Sequence, residues 1–121
     1  MNADIVEKTI GAIFEVSNVL GAGFLEKVYE RALVKELALR GLAAQAQVHI
    51  QIEYKTQSVG DYIADIIVED ELVIELKCVD RFCKEHVAQC INFLRASGKK
   101  IALLVNFQKP RVELKRIVYN L

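Results

Sequence analysis

Residues 61–80 read DYIADIIVEDELVIELKCVD, and this stretch decides the fold. Two apolar, β-branched runs, Tyr62 to Val68 and Leu72 to Cys78, flank the acidic Glu69-Asp70-Glu71. Such runs around a turn predict a central hairpin, covered on both faces. Yet the first run carries Asp65, and the second carries Glu75 and Lys77. An unpaired carboxylate or ammonium is too costly to bury, so these groups need a partner, a metal or neutralisation.

Strand side chains alternate, which puts Glu75 and Lys77 on one face and Leu76 on the other. The face of Asp65 depends on register. A three-residue loop pairing Val68 with Leu72 sets Asp65 opposite Glu75, whereas a two-residue turn sends them to opposite faces unless a bulge intervenes. In the first register their Cβ atoms lie about 5 Å apart. That suits a hard divalent cation such as Mg²⁺, which takes one or two carboxylates, waters and phosphate oxygens. The competing structural reading is a buried ion pair with Lys77. Two acids against one base leave surplus negative charge, which then requires another cation or a raised carboxylate pKa.

Working outward, Ile5, Ile10, Ile13, Phe14, Val16 and Leu20 predict a first helix ending near Leu20, where Gly21 and Gly23 punctuate the chain. Leu25, Val28, Tyr29, Ala32, Leu33 and Leu37 predict a second helix over 24–39. Gln45 to Tyr54 alternates like a half-buried strand, and Thr56 to Gly60 reads as a turn. After the hairpin, a third helix is expected over 85–97, stopping at Gly98. A strand over 101–107 and an edge strand over 114–119 follow. The order α, α, β, β, β, α, β, β indicates an α/β sandwich with a mixed sheet.

The 121 residues, 53% hydrophobic and 26% charged, suit one compact domain over 1–121. No uncharged run approaches the roughly 18 residues of a membrane span, and MNADIVEKTI lacks the pattern of a secretory signal. A cytoplasmic protein with no membrane association is expected. Three cysteines, Cys78, Cys83 and Cys90, argue for a reducing compartment and against a disulfide framework. Net charge is zero, but residues 1–78 hold 7 Lys/Arg against 13 Asp/Glu, and residues 79–121 hold 9 against 3. That asymmetry is compatible with a cation site beside a phosphate-binding surface.

Asp65 followed by Glu75-Leu76-Lys77 resembles the PD-(D/E)XK nuclease signature, with Ala64 where that pattern often has proline. Gly23-Phe24-Leu25-Glu26-Lys27-Val28-Tyr29 matches the motif of the GxxExxY proteins, a group within the same superfamily. Val59-Gly60-Asp61-Tyr62, His86-x-x-Gln89 with Asn92-Phe93-Leu94, and Leu104-Val105-Asn106-Phe107 are similar to that family too. The resemblance runs from Leu20 to Val118 and implies a restriction-endonuclease-like core with a mixed central sheet flanked by helices. It further implies Asp65 and Glu75 as ligands of Mg²⁺ or Mn²⁺, and Lys77 as the group orienting water or stabilising phosphate charge. Glu26 would complete the acidic cluster, directly or through water. Gln89 would sit near Lys77 and the substrate backbone, with Phe93 where related exonucleases carry a tyrosine. Tyr29 is expected to pack with a bonded hydroxyl, and His86 to line the cleft or cap a helix.

The resemblance implies metal-dependent phosphodiester hydrolysis, with DNA as the foremost nucleic-acid substrate and a homodimer or protein partner assisting so small a chain. The alternative is a catalytically silent module that keeps the fold to bind nucleic acid or protein. A third reading makes Cys78, Cys83, His86 and Cys90 a zinc or iron-sulfur site, but the C-x4-C-x2-H-x3-C spacing fits no common finger, and small buried residues account for it better. Lys99, Lys100, Lys109, Arg111, Lys115 and Arg116 are candidate phosphate contacts. They lack the aromatic interleaving of a single-strand stacking platform.

Overall fold

A computed structural model describes residues 3–120. The elements are α1 (Ala3–Leu20), α2 (Glu26–Leu39), β1 (Ala44–Tyr54), β2 (Gln57–Val68), β3 (Leu72–Lys77), α3 (Lys84–Ser97), β4 (Ile101–Asn106) and β5 (Glu113–Val118). The strands form one sheet in the order β1-β2-β3-β4-β5. All neighbours run antiparallel except β3 and β4, which α3 joins as a parallel crossover. The predicted α/β sandwich is therefore present, with β5 at an edge.

Helices α1 and α2 cover one sheet face because Val6, Ile13, Val16, Tyr29, Leu33 and Leu37 recur at helical spacing and pack on Ile66, Ile74, Leu76 and Leu103. Helix α3 covers the other face, placing Cys90, Phe93 and Leu94 on Ile67, Val73, Ala102 and Leu104. It ends at Gly98, whose φ of 77° gives the left-handed cap that closes a helix most readily with glycine.

The β2–β3 hairpin has the three-residue register, with Val68 opposite Leu72, Ile67 opposite Val73 and Ile66 opposite Ile74. Glu69 and Asp70 adopt positive φ, and the Glu71 N–H closes the turn on the Val68 carbonyl. Two expectations need correction. Thr56 to Gly60 is not a turn: β2 begins at Gln57, and Lys55 and Thr56, at φ 49° and 71°, make a two-residue turn alone. The usual Asn-Gly signature of such turns is absent there, so the sequence concealed it. Nor is β2 covered throughout, since Tyr62 and Ile63 are 36% and 43% exposed. The β1–β2 arm runs beyond the end of the β2–β3 ladder, so its outer half has only one neighbouring strand.

The β1–β2 register is unshifted from Ala44–Val68 to Ile52–Gly60, but the Gln47–Asp65 row is skipped. Gln47 is left-handed there, at φ 55°. Ala44 and Ile66 pack with the α1/α2 core, whereas Val48 and Ala64 pack with the α3 core. The arm therefore exchanges faces at this row and turns its outer side chains toward α3.

Candidate active site

The β2–β3 ladder stops one row before Asp65 meets Glu75. The Leu76 N–H, left without a backbone partner from β2, donates to Asp65 Oδ2 at 2.7 Å. Asp65 thus bridges the point where the strands part. Glu75 is only 4% exposed. Burial and then the neighbouring Asp65 push its carboxyl up to about 8, against the opposing pull of Lys77. Asp65 is also raised, chiefly by burial, while the Leu76 N–H pulls the other way.

Glu75 and Lys77 face α3, as their spacing requires, while Ile74 and Leu76 enter the α1/α2 core. Lys77 Nζ donates to Gln89 Oε1 at 3.2 Å. Glu75 and Gln89 line a cleft of about 550 Å³ between α3 and β2, together with Tyr62, Asn92 and Phe93. Asp65, Glu75, Lys77 and Gln89 are therefore brought together.

Glu26 lies in the first turn of α2, exposed, where its charge adds to burial in raising the Cys78 thiol. The α2 acid whose charge bears on Asp65 is Glu30, one turn further on. Glu30 is buried and accepts from Lys27 Nζ at 3.0 Å and from Gln47 Nε2 at 2.6 Å. Sequence reasoning passed over Glu30 and Gln47. The buried face of α2, which includes Tyr29, Leu33 and Leu37, could have revealed the first; a left-handed glutamine gives no sequence signal.

Tyr29 is fully buried; its hydroxyl donates to the Gly21 carbonyl at 2.6 Å and accepts from the Phe24 N–H at 3.2 Å. Its ring stacks on Phe107 at 4.5 Å, and the Phe107 N–H donates to the Lys77 carbonyl at 3.0 Å. The glycine turn before α2 is thereby tied to the backbone of Lys77. Asn106 completes the fixation: its amide accepts from the Val79 N–H at 3.1 Å and donates to the Val79 carbonyl at 2.8 Å, as a paired strand would. His86 is a cap, accepting from the Cys83 N–H at 3.1 Å.

Cys78 packs with the α1/α2 core and Cys90 within the α3 core, on opposite sides of the sheet, so the cysteine-cluster reading fails. Burial pushes the Cys90 thiol up to about 12, which keeps it neutral. Lys99 is bound to Asp70 at the hairpin end of the sheet, away from Lys77. Lys115 stands beside Leu104 in the same sheet row as Glu75.

The donor chemistry fits a hard divalent cation. Among the described residues no group of three or more His, Cys, Asp or Glu is arranged around one point. Asp65 and Glu75, however, when both ionised set two negative charges against the one positive charge of Lys77, a balance a bound cation would complete, and two carboxylates with waters and phosphate oxygens are a normal Mg²⁺ environment.

The family profile of the PD-(D/E)XK nuclease superfamily matches residues 3–117. The chain belongs to the PD-(D/E)XK nuclease superfamily. Solved structures agree at the level of fold. SSO0001 superposes with a TM-score of 0.60 at 20% identity, covering 98% of this chain and 60% of its own. LHK-Exo, an alkaline exonuclease from Laribacter hongkongensis, gives 0.53 at 14% identity, covering 89% of this chain and 76% of its own. Its complex with dAMP gives 0.54 at 13%, covering 95% and 83%. This PD-(D/E)XK chain thus spans about three fifths of the length of SSO0001 and has the restriction-endonuclease-like fold. A search of curated proteins finds no match. No helix among the described residues is long and apolar enough to cross a membrane.

Proposed function

We propose that this chain is a metal-dependent nuclease that hydrolyses phosphodiester bonds in DNA, and that it belongs to the GxxExxY group of its superfamily. The observation that carries this reading is the Asp65–Glu75 pair beside the Lys77–Gln89 contact, with Glu75 and Gln89 opening on one cleft. Asp65 and Glu75 would hold Mg²⁺ or Mn²⁺, with Glu26 reaching the site through water. When bound, the cation supplies Lewis acidity and makes a nearby water easier to deprotonate. Lys77 places a positive charge beside the phosphate to offset charge developing on its oxygens. Gln89 positions Lys77 by accepting from its ammonium.

The test incubates purified protein and a Lys77→Ala variant with linear DNA, circular DNA and RNA, in Mg²⁺ or Mn²⁺ and in chelator. Cleavage that needs both metal and Lys77 is expected. Metal binding without cleavage of any substrate would instead favour a silent binding module.

A further inference from the structure

The cleft at Glu75 does not end at Asn92. A second hollow, of about 280 Å³, is lined by Ile52, Tyr62, Asn92, Arg95 and Ala96. The two share Tyr62 and Asn92, so they form one groove from the acid pair to Arg95. Its floor on the helix side is a single face of α3, since Gln89, Asn92 and Arg95 recur every third residue. From Gln89 to Arg95 the helix rises about 9 Å, a reach suited to a nucleotide and its neighbour. The opposite wall is the outer half of the β1–β2 arm, which the left-handed Gln47 has turned toward α3.

We propose that this groove binds an unpaired nucleotide strand, stacking a base on Tyr62 and holding a flanking phosphate at Arg95, an assignment that rests on the nuclease reading above. Tyr62 stands where the two hollows meet, half-exposed, with Asn92 across from it on α3. A base offers its face to such a ring only when freed from its stack, which single strands allow and duplexes resist. The amide of Asn92 supplies a donor and an acceptor for a base edge.

The charges along the groove set the strand's orientation. Asp61, whose Oδ2 lies 2.7 Å from His49 Nδ1, and Glu85 line the Glu75 end, where without a cation they disfavour phosphates and can accept from the amino groups of bases. Beyond the phosphate taken up with the metal, bases therefore turn inward and the backbone follows the rim. At the far end Arg95 offers the cation. Its Nε donates to the Tyr119 hydroxyl at 3.4 Å and its guanidinium lies 5.7 Å from that ring's centroid. This contact occupies one of five guanidinium donors. Tyr62 lies on β2 and Asn92 and Arg95 on α3, thirty residues and more along the chain, so the sequence's lack of basic–aromatic interleaving did not disclose this platform.

The chain contains no tryptophan, so Tyr62→Trp introduces a single fluorophore at the proposed stacking position. This variant is titrated with short oligothymidylate, oligouridylate and a blunt hairpin duplex, in chelator to prevent cleavage. Quenching by the single strands at concentrations that leave the duplex without effect is expected, and the better sugar identifies DNA or RNA. In the wild-type background, Tyr62→Ala and Arg95→Ala should each weaken anisotropy-detected binding of labelled single strand by about tenfold. Circular dichroism checks that both variants fold. Equal quenching by duplex, single-strand binding without quenching, or unchanged affinity in folded Tyr62→Ala overturns the proposal. Failure of the nuclease reading is separable: quenching without metal-dependent cleavage by wild type removes that reading and leaves the groove, whereas cleavage without quenching removes the groove alone.

Discussion

Lys77 donates to Gln89 across the cleft at 3.2 Å, and among the described residues no carboxylate lies within ion-pair distance of its ammonium. The lysine is thus aimed by a neutral acceptor, and although Asp65 and Glu75 feel its charge, no close ion pair ties up its ammonium. Lys77→Ala should lower single-turnover cleavage by a hundredfold or more, in line with losing one preorganised charge-stabilising group. Gln89→Ala should cost about tenfold, because the lysine remains but loses its guide. Equal losses in the two variants would contradict a purely positioning role for Gln89.

Stability should depend on pH through Glu75. Folded, Glu75 keeps its proton up to about pH 8; unfolded, it releases it near its ordinary 4.5. The folded chain binds more protons between those values, so metal-free protein loses stability as pH rises across that window, by on the order of a few kcal/mol. Asp65, also raised, acts in the same direction. Thermal melts from pH 5 to 8 in chelator should show a falling Tm. Glu75→Gln should flatten the slope, and Mg²⁺ or Mn²⁺ should raise Tm more at pH 8 than at pH 5. A Glu75→Gln slope equal to wild type would rule this out.

Tyr29→Phe keeps the stacking on Phe107 but removes the two hydroxyl bonds that hold the turn at Gly21 and Phe24. A loss of about 1 to 2 kcal/mol in urea unfolding is expected. Gly23, at φ 108°, lies in the same turn, and Gly23→Ala should destabilise by a comparable amount.

Asn106→Ala strips the partners from both the Val79 N–H and the Val79 carbonyl. About 2 to 3 kcal/mol of stability should be lost, with a fall in cleavage because Lys77 lies two residues away. Asn106→Asp retains the acceptor for Val79 and Gln108 but loses the donor and faces Glu113, so it should rescue only part of the stability.

Much of this architecture was legible because the signals were local. Apolar spacing located the helices to within two residues, and of the two hairpin registers that the sequence left open the structure has the three-residue loop at Glu69-Asp70-Glu71. The Asp65–Glu75–Lys77 group stood out because charges in apolar runs demand an explanation. The hidden parts depend on distant segments meeting. Glu30 binds Gln47 across seventeen positions, and Asn106 reaches Val79 across twenty-seven. The Lys55-Thr56 turn and the left-handed Gln47 place ordinary residues in conformations that no local sequence rule assigns to them.

Under the proposed nuclease reading Asp65 does two jobs, and only one of them is chemical. By occupying the Leu76 amide it also satisfies the backbone where the central strands separate. A relative that does not cut nucleic acid would still benefit from a hydrogen-bond acceptor at position 65. Lys77 has no comparable duty, since among the described residues its ammonium is hydrogen-bonded to Gln89 alone. In distinguishing working enzymes from inert relatives of this chain, the lysine is therefore the more informative marker, and the aspartate can persist as architecture after activity is gone.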